Sequence, residues 1–196
     1  MAKILDVAQF IYDELGWVNA WRLEKLTYYA DSWFAAWYGT PLFNEHFEAW
    51  VDGPVSPALY HANKDRDSFM SRDLPHGDGS ALLPREAAAI ASVLDFYGDW
   101  SKEQLIEQTH KEEPWLEARE GLGKHARSSR VISKETTMRF YARCEAKGNK
   151  VPRRPFDGRP NWSPEDVRAT FEANTARWAE AIALLADRSP MTSTSE

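Results

Sequence analysis

The sequence predicts a mainly α fold: a single compact helical domain, a short strand or hairpin near residues 45–55, and a C-terminal helical extension. Three observations carry that prediction. Apolar residues recur at three- to four-residue spacing along the chain, the signature of helices with one buried face. Capping residues and first-turn prolines stand where several of those runs begin. Only the stretch from Phe43 to Val55 shifts to a period of two.

The elements follow in order. Ile4, Val7, Ile11 and Leu15 define a first helix that Gly16 stops. Asn19 caps a second, whose stripe runs Leu23, Leu26, Ala30, Trp33 and Trp37 and ends at Gly39-Thr40-Pro41. Both are strongly apolar on one side, so they are expected to pack as a hairpin. Phe47, Ala49 and Val51 then alternate with Glu48, Trp50 and Asp52 as a strand or extended arm. Gly53-Pro54 breaks the chain, and Ser56-Pro57 opens a short helix through Tyr60. Residues 64–83 have little period and read as a mobile loop.

A long helix is expected from Pro84 to Gly98, burying Ala87, Ile90, Leu94 and Tyr97. Ser101 with Gln104 fits a capping box, and Thr109 with Glu112 fits a second before Pro114-Trp115. Ser133 caps a further helix with Met138 pointing inward, and Arg143, Lys147 and Lys150 suit the negative end of its dipole. The domain is expected over residues 1–147. Residues 148–161 form a Pro/Arg-rich linker, and 162–196 a last helix (Val167, Phe171, Trp178, Ile182, Leu185) with a frayed tail.

The 196 residues suffice to bury a core without staples, and 43% hydrophobic with 28% charged residues is a globular composition. The lone Cys144 excludes an intramolecular disulfide framework and cysteine-built zinc sites. No secretory leader and no membrane-length apolar run is seen, so a cytoplasmic location is expected. The net charge of −6 is uneven: residues 1–60 and 61–115 each carry −5, residues 116–160 carry +7, and the tail −3. That balance argues against a dedicated nucleic-acid binder, with one basic stretch left to meet phosphates or an acidic partner.

Chemical motifs are incomplete. His110-Lys111-Glu112-Glu113 has a Glu beside a His, but Pro114 stands where a second metal-binding His would be needed. Gly121-Leu122-Gly123-Lys124 resembles a phosphate loop, yet position 118 is Ala and His125 replaces Ser or Thr. His76 and Asp78 lie in the expected loop, a poor platform for a metal. Cys144 has Arg143 beside it and no base implied. No catalytic residues, cofactor or metal are therefore assigned. Among the nine Trp, Trp33, Trp37 and Trp178 fall on helical stripes and read as core. Trp17, Trp21 and Trp50 fall off them and suit a contact surface.

Three motifs occur in order: Leu23-Glu24-Lys25-Leu26-Thr27-Tyr28-Tyr29-Ala30, then Ala49 to Tyr60 with Trp50, Asp52, Gly53, Pro54 and Pro57, then Thr109 to Arg119 with His110, Glu113, Pro114 and Trp115. Together, over about residues 1–145, they resemble the Panacea domain, the SocA-like antitoxin domain of bacterial and phage toxin–antitoxin pairs. The resemblance implies a helical, non-enzymatic protein that binds and neutralises a toxin usually encoded beside it. Toxins of the family include alarmone-synthetase-like enzymes that modify tRNA and membrane-active proteins, and one relative is an adaptor delivering its toxin to a protease.

The residues expected to bind the partner are Trp50, Asp52, His110, Glu113, Trp115 and Arg119. For the last motif two readings stay open: hydrogen bonding between helices, or a charged-aromatic surface. The alternatives to an antitoxin are a protease adaptor, a metal-dependent hydrolase or transferase using the His110 region, and a nucleic-acid-binding autoregulator. Homo-oligomerisation is left open.

Overall fold

The computed structural model describes residues 1–64, 70–148, 150–155 and 168. Residues Met1–Pro155 form one compact unit and Phe156–Glu196 a second. The expected last helix and most of the second unit lie outside the described residues.

The first unit is mainly helical, as the apolar periodicity predicts. Its elements are α1 (Ile4–Leu15), α2 (Ala20–Tyr38), β1 (Glu48–Trp50), β2 (Gly53–Val55), α3 (Pro57–Asn63), α4 (Pro84–Tyr97), α5 (Lys102–Thr109), α6 (Glu113–Ala118) and α7 (Lys134–Ala146). Local signals account for most boundaries. Asn19 Oδ1 accepts from Arg22 N at 3.0 Å, Ser101 and Gln104 form their reciprocal box, and Ser133 accepts from Thr136 N. Gly16 and Gly39 take positive φ where α1 and α2 end.

Helix α2 is the axis of the fold. Its expected stripe is buried, but so are Glu24, Lys25, Asp31 and Ser32 on other faces, because α1, α3, α4, α5, α7 and β2 surround it. Helices α1 and α2 pack together as expected, but α2 is a central helix covered along most of its length by other elements as well, not a one-sided one. Aromatic rings fill the space around it. Tyr29 stacks on Tyr97 at 4.1 Å between centroids, and Trp33 meets Tyr141 edge-on at 5.0 Å. Trp33 and Trp37 are core, as their spacing predicts. On α7 the buried residues are Thr136, Thr137 and Tyr141, and Met138 is only half-buried.

Residues 70–83 are tied down rather than mobile. Leu74 N donates to Gln9 Oε1 at 2.8 Å and Asp78 N to Asp6 Oδ1 at 3.0 Å, so side chains of α1 satisfy the loop's backbone. A 3₁₀ turn at Gly79–Ala81 is capped by Asp78 and lies against α1. Pro84 begins α4 as expected, though Ala89 and Val93, not Ala87, complete its buried face.

The start of the Pro/Arg-rich stretch is part of the first unit. Val151 packs on the core, Arg153 O accepts from Ser92 Oγ, and the Arg154 guanidinium lies over Tyr38 at 5.2 Å. No helix among the described residues is long and apolar enough to cross a membrane.

Candidate functional site

The period-two stretch is a hairpin: β1 pairs antiparallel with β2, with Glu48 opposite Val55 and Trp50 opposite Gly53. A β-bridge between Glu48 and Val131 covers the other edge of β1, and Ala49 N donates to Arg130 O at 2.9 Å. Among the described residues, the edge of β2 has no strand beside it. There Lys25 Nζ donates to Pro54 O at 3.0 Å and Glu24 Oε2 accepts from Ser56 N at 2.9 Å. Two side chains of α2 thereby do the hydrogen bonding of a neighbouring strand, which removes the exposed edge.

The close approach depends on Gly53. Its φ is +97°, and a Cβ there would sit 2.6 Å from Lys25 Cε and 2.7 Å from Thr109 Oγ1. Burial pushes the Glu24 carboxyl up from its ordinary range, opposed by the Ser56 N–H bond and by Lys25. Burial likewise pushes the Lys25 ammonium down, opposed by Glu24 and Asp52.

This pair floors an open groove of about 920 Å³ between α2, the hairpin, α3 and the segment Arg127–Ser129. Trp21, Trp50 and Tyr60 line it, and Trp21 and Tyr60 are about 40% exposed (41% and 39%). The Trp50 and Tyr60 rings lie 5.1 Å apart, and Trp50 Nε1 donates to Glu48 Oε2 at 2.7 Å. Asp52, at the hairpin turn, accepts from Trp21 Nε1 at 3.4 Å. Lys102 sits over the Trp21 ring at 4.0 Å.

The six residues singled out from sequence divide. Trp50 and Asp52 line the groove. Three others stand behind the hairpin. Trp115, 8% exposed, donates from Nε1 to Trp50 O at 3.0 Å, and His110 stacks on its ring at 4.1 Å. Arg119, 6% exposed, donates to Ala49 O at 2.9 Å, Gly123 O at 3.2 Å and Ala126 O at 2.8 Å. Of the two readings open for this motif, hydrogen bonding between elements describes Arg119 and Trp115. Glu113 faces α7, paired with Arg143 and, at 3.9 Å, with Arg139. Burial lowers the His110 pKa, opposed by the Val51 carbonyl.

Glu112 does not complete a capping box with Thr109. Thr109 ends α5 with its hydroxyl on Ile106 O, while the Glu112 carboxylate turns into the core. There it accepts from Tyr141 Oη at 2.6 Å, Tyr29 Oη at 3.3 Å and Gln108 Nε2 at 3.1 Å. His110, Glu112 and Glu113 therefore point in three directions and form no common centre. Among the described residues no group of three His, Cys, Asp or Glu gathers to hold a metal.

Part of the basic stretch is committed to bonds within the protein. Arg130 donates to Glu120 O at 2.7 Å and Lys134 to Phe43 O at 2.6 Å, besides the bonds of Arg119 and Arg143. Sequence reasoning missed Glu24, Lys25 and Tyr60 as groove residues. The one available signal was a charged pair between Leu23 and Leu26, inside the apolar stripe of α2.

Fold and site together define a helical scaffold in which a small hairpin, braced from behind, walls one open cleft. Residues 23–116, just under half of the chain, match the family described as antitoxin SocA-like, Panacea domain. The match runs from Leu23 of α2 to Leu116 of α6, including the groove's floor, hairpin and α3, and leaves α1, Ala20, Trp21, α7 and Arg127–Ser129 outside it. No curated protein and no solved structure matches the chain.

Proposed function

We propose that the chain is a cytoplasmic antitoxin that neutralises a cognate protein toxin by binding it at the groove. The observation that carries this reading is the groove's make-up, with Glu24, Lys25, Trp50 and Tyr60 inside the antitoxin-family stretch and Trp21 and Arg127–Ser129 flanking it. An open cleft is walled by Trp21, Trp50 and Tyr60 and carries acids and bases of both signs at its edges. Exposed Trp and Tyr that flank a desolvated centre are the residue types that most often anchor protein partners. Trp50 and Asp52 are contact residues in this reading. Trp115, His110 and Arg119 act on the partner only by holding the hairpin wall in place.

The test is co-expression of the neighbouring gene with and without this one. The neighbour is expected to arrest growth alone and to be harmless beside the intact chain. Trp50→Ala is expected to weaken neutralisation with an unchanged melting temperature, at a cost of roughly 2 kcal/mol in binding. Arg119→Ala is expected to lower neutralisation and melting temperature together, because several buried carbonyls lose their donor. A neighbour that is harmless alone, or one whose toxicity persists beside the intact chain, ends the proposal.

A further inference from the structure

The floor of the groove is chemically unfinished. Glu24 and Lys25 are adjacent charged residues, 5% and 1% exposed, and both line the cleft. Among the described residues one hydrogen bond reaches each, from Ser56 N and to Pro54 O. No ion pair among those residues includes either side chain. An ammonium has three donors and a carboxylate two acceptor oxygens. Beyond these two bonds, Lys25 has N–H groups and Glu24 has Oε1 to offer at the floor of a cleft that a partner would dry out. Charges withdrawn from water need such partners to offset their desolvation.

The chemistry of the missing group can be read from the pair. It must offer an acceptor to Lys25 and a donor to Glu24 at neighbouring positions. A peptide unit has both. Phosphate supplies acceptors and would meet the carboxylates of Glu24, Glu48 and Asp52, while a simple cation would meet Lys25, Lys64 and Arg127. The pair already binds main-chain groups of this kind, the Pro54 carbonyl and the Ser56 N–H at the end of β2. A volume of about 920 Å³ with an aromatic rim leaves room for an extended segment and its side chains.

The geometry points to an extended segment of the toxin whose main-chain amide docks on Glu24 and Lys25, its flanking side chains packing on Trp21, Trp50 and Tyr60. This rests on the toxin-binding reading and specifies what enters the groove: a strand-like stretch of polypeptide.

The experiment titrates the full chain with overlapping synthetic peptides covering the product of the neighbouring gene, with tryptophan fluorescence as the readout. One stretch is expected to bind. N-methylation of a single amide within it, side chains unchanged, should weaken binding about tenfold or more. Lys25→Met and Glu24→Gln should each weaken the unmethylated peptide to a similar degree, and Glu24→Gln should shrink the N-methyl penalty. Circular dichroism checks that the variants fold. Should Lys25→Met unfold, Glu24→Gln and the rim variant Trp21→Ala carry the test.

The inference is overturned if no peptide binds while the intact toxin is still neutralised. It is equally overturned if every N-methylated peptide binds as well as its parent, or if the folded variants bind like the unaltered chain. Failure of the intact chain to neutralise its neighbour would instead defeat the antitoxin reading, and this inference with it.

Discussion

Glu112 shows how one residue can carry a fold-wide consequence. Burial raises its carboxyl from the ordinary value of 4.5 to about 7, although hydrogen bonds from Tyr141, Gln108 and Tyr29 pull the other way. The folded state therefore holds this proton at pH values where the unfolded chain has released it. Stability from this group is greatest near and below pH 4.5, falls as the pH rises toward 7, and levels off above that. Buried Asp31, raised to about 6, acts in the same direction, while His110 acts oppositely at the acid end. Glu112→Gln should flatten the fall in stability between pH 5 and pH 8 by on the order of 2 kcal/mol. Urea unfolding at a series of pH values measures it, and equal slopes in the two proteins would refute the assignment.

Among the elements, the β1–β2 hairpin is the one most dependent on its surroundings. Two three-residue strands have little stability alone. Here Lys25 and Glu24 hold β2, the 130–132 segment holds β1, and Arg119 and Trp115 bond the carbonyls of Ala49 and Trp50. Gly53 is where these constraints meet, since both its positive φ and its contact with Lys25 exclude a side chain. Gly53→Ala should destabilise the protein by about 2 kcal/mol or more and disturb the groove wall. Thermal unfolding reads the first effect, and the Trp50 environment in near-UV circular dichroism reads the second. Retention of both would mean that the hairpin accommodates a Cβ by moving as a body.

For the molecule as a whole, the first compact unit ends at Pro155, not at the last residue of α7. Val151 and the Ser92–Arg153 hydrogen bond attach the chain to α4 and the core before the second unit begins. A chain ending at Pro155 should therefore unfold cooperatively, within a few degrees of the melting temperature of the same unit in the full protein. One ending at Ala146 should melt lower, having lost the packing of Val151 and the cover over Tyr38. Identical melting of the two truncations would show that residues 147–155 add nothing to the first unit.

Much of this architecture is legible in the sequence because helix signals are local. Asn19, Ser101 and Ser133 bond the backbone three residues ahead, so neighbouring letters suffice to place α2, α5 and α7. The stripe through Trp33 and Trp37 and the shift to period two at the hairpin are equally local patterns. Burial of charge is not. Glu24 and Lys25 find their partners 32 and 29 residues away, Arg119 reaches back 70 residues to Ala49, and Glu112 reaches 83 to Tyr29. A charged residue reads as solvent-exposed until the element that satisfies it is folded against it. Helical class, caps and the family motifs were accordingly determined by the sequence itself. Only tertiary packing decided which polar groups went inside, and so turned Arg119 and Trp115 inward and placed Glu24 and Lys25 beneath the groove.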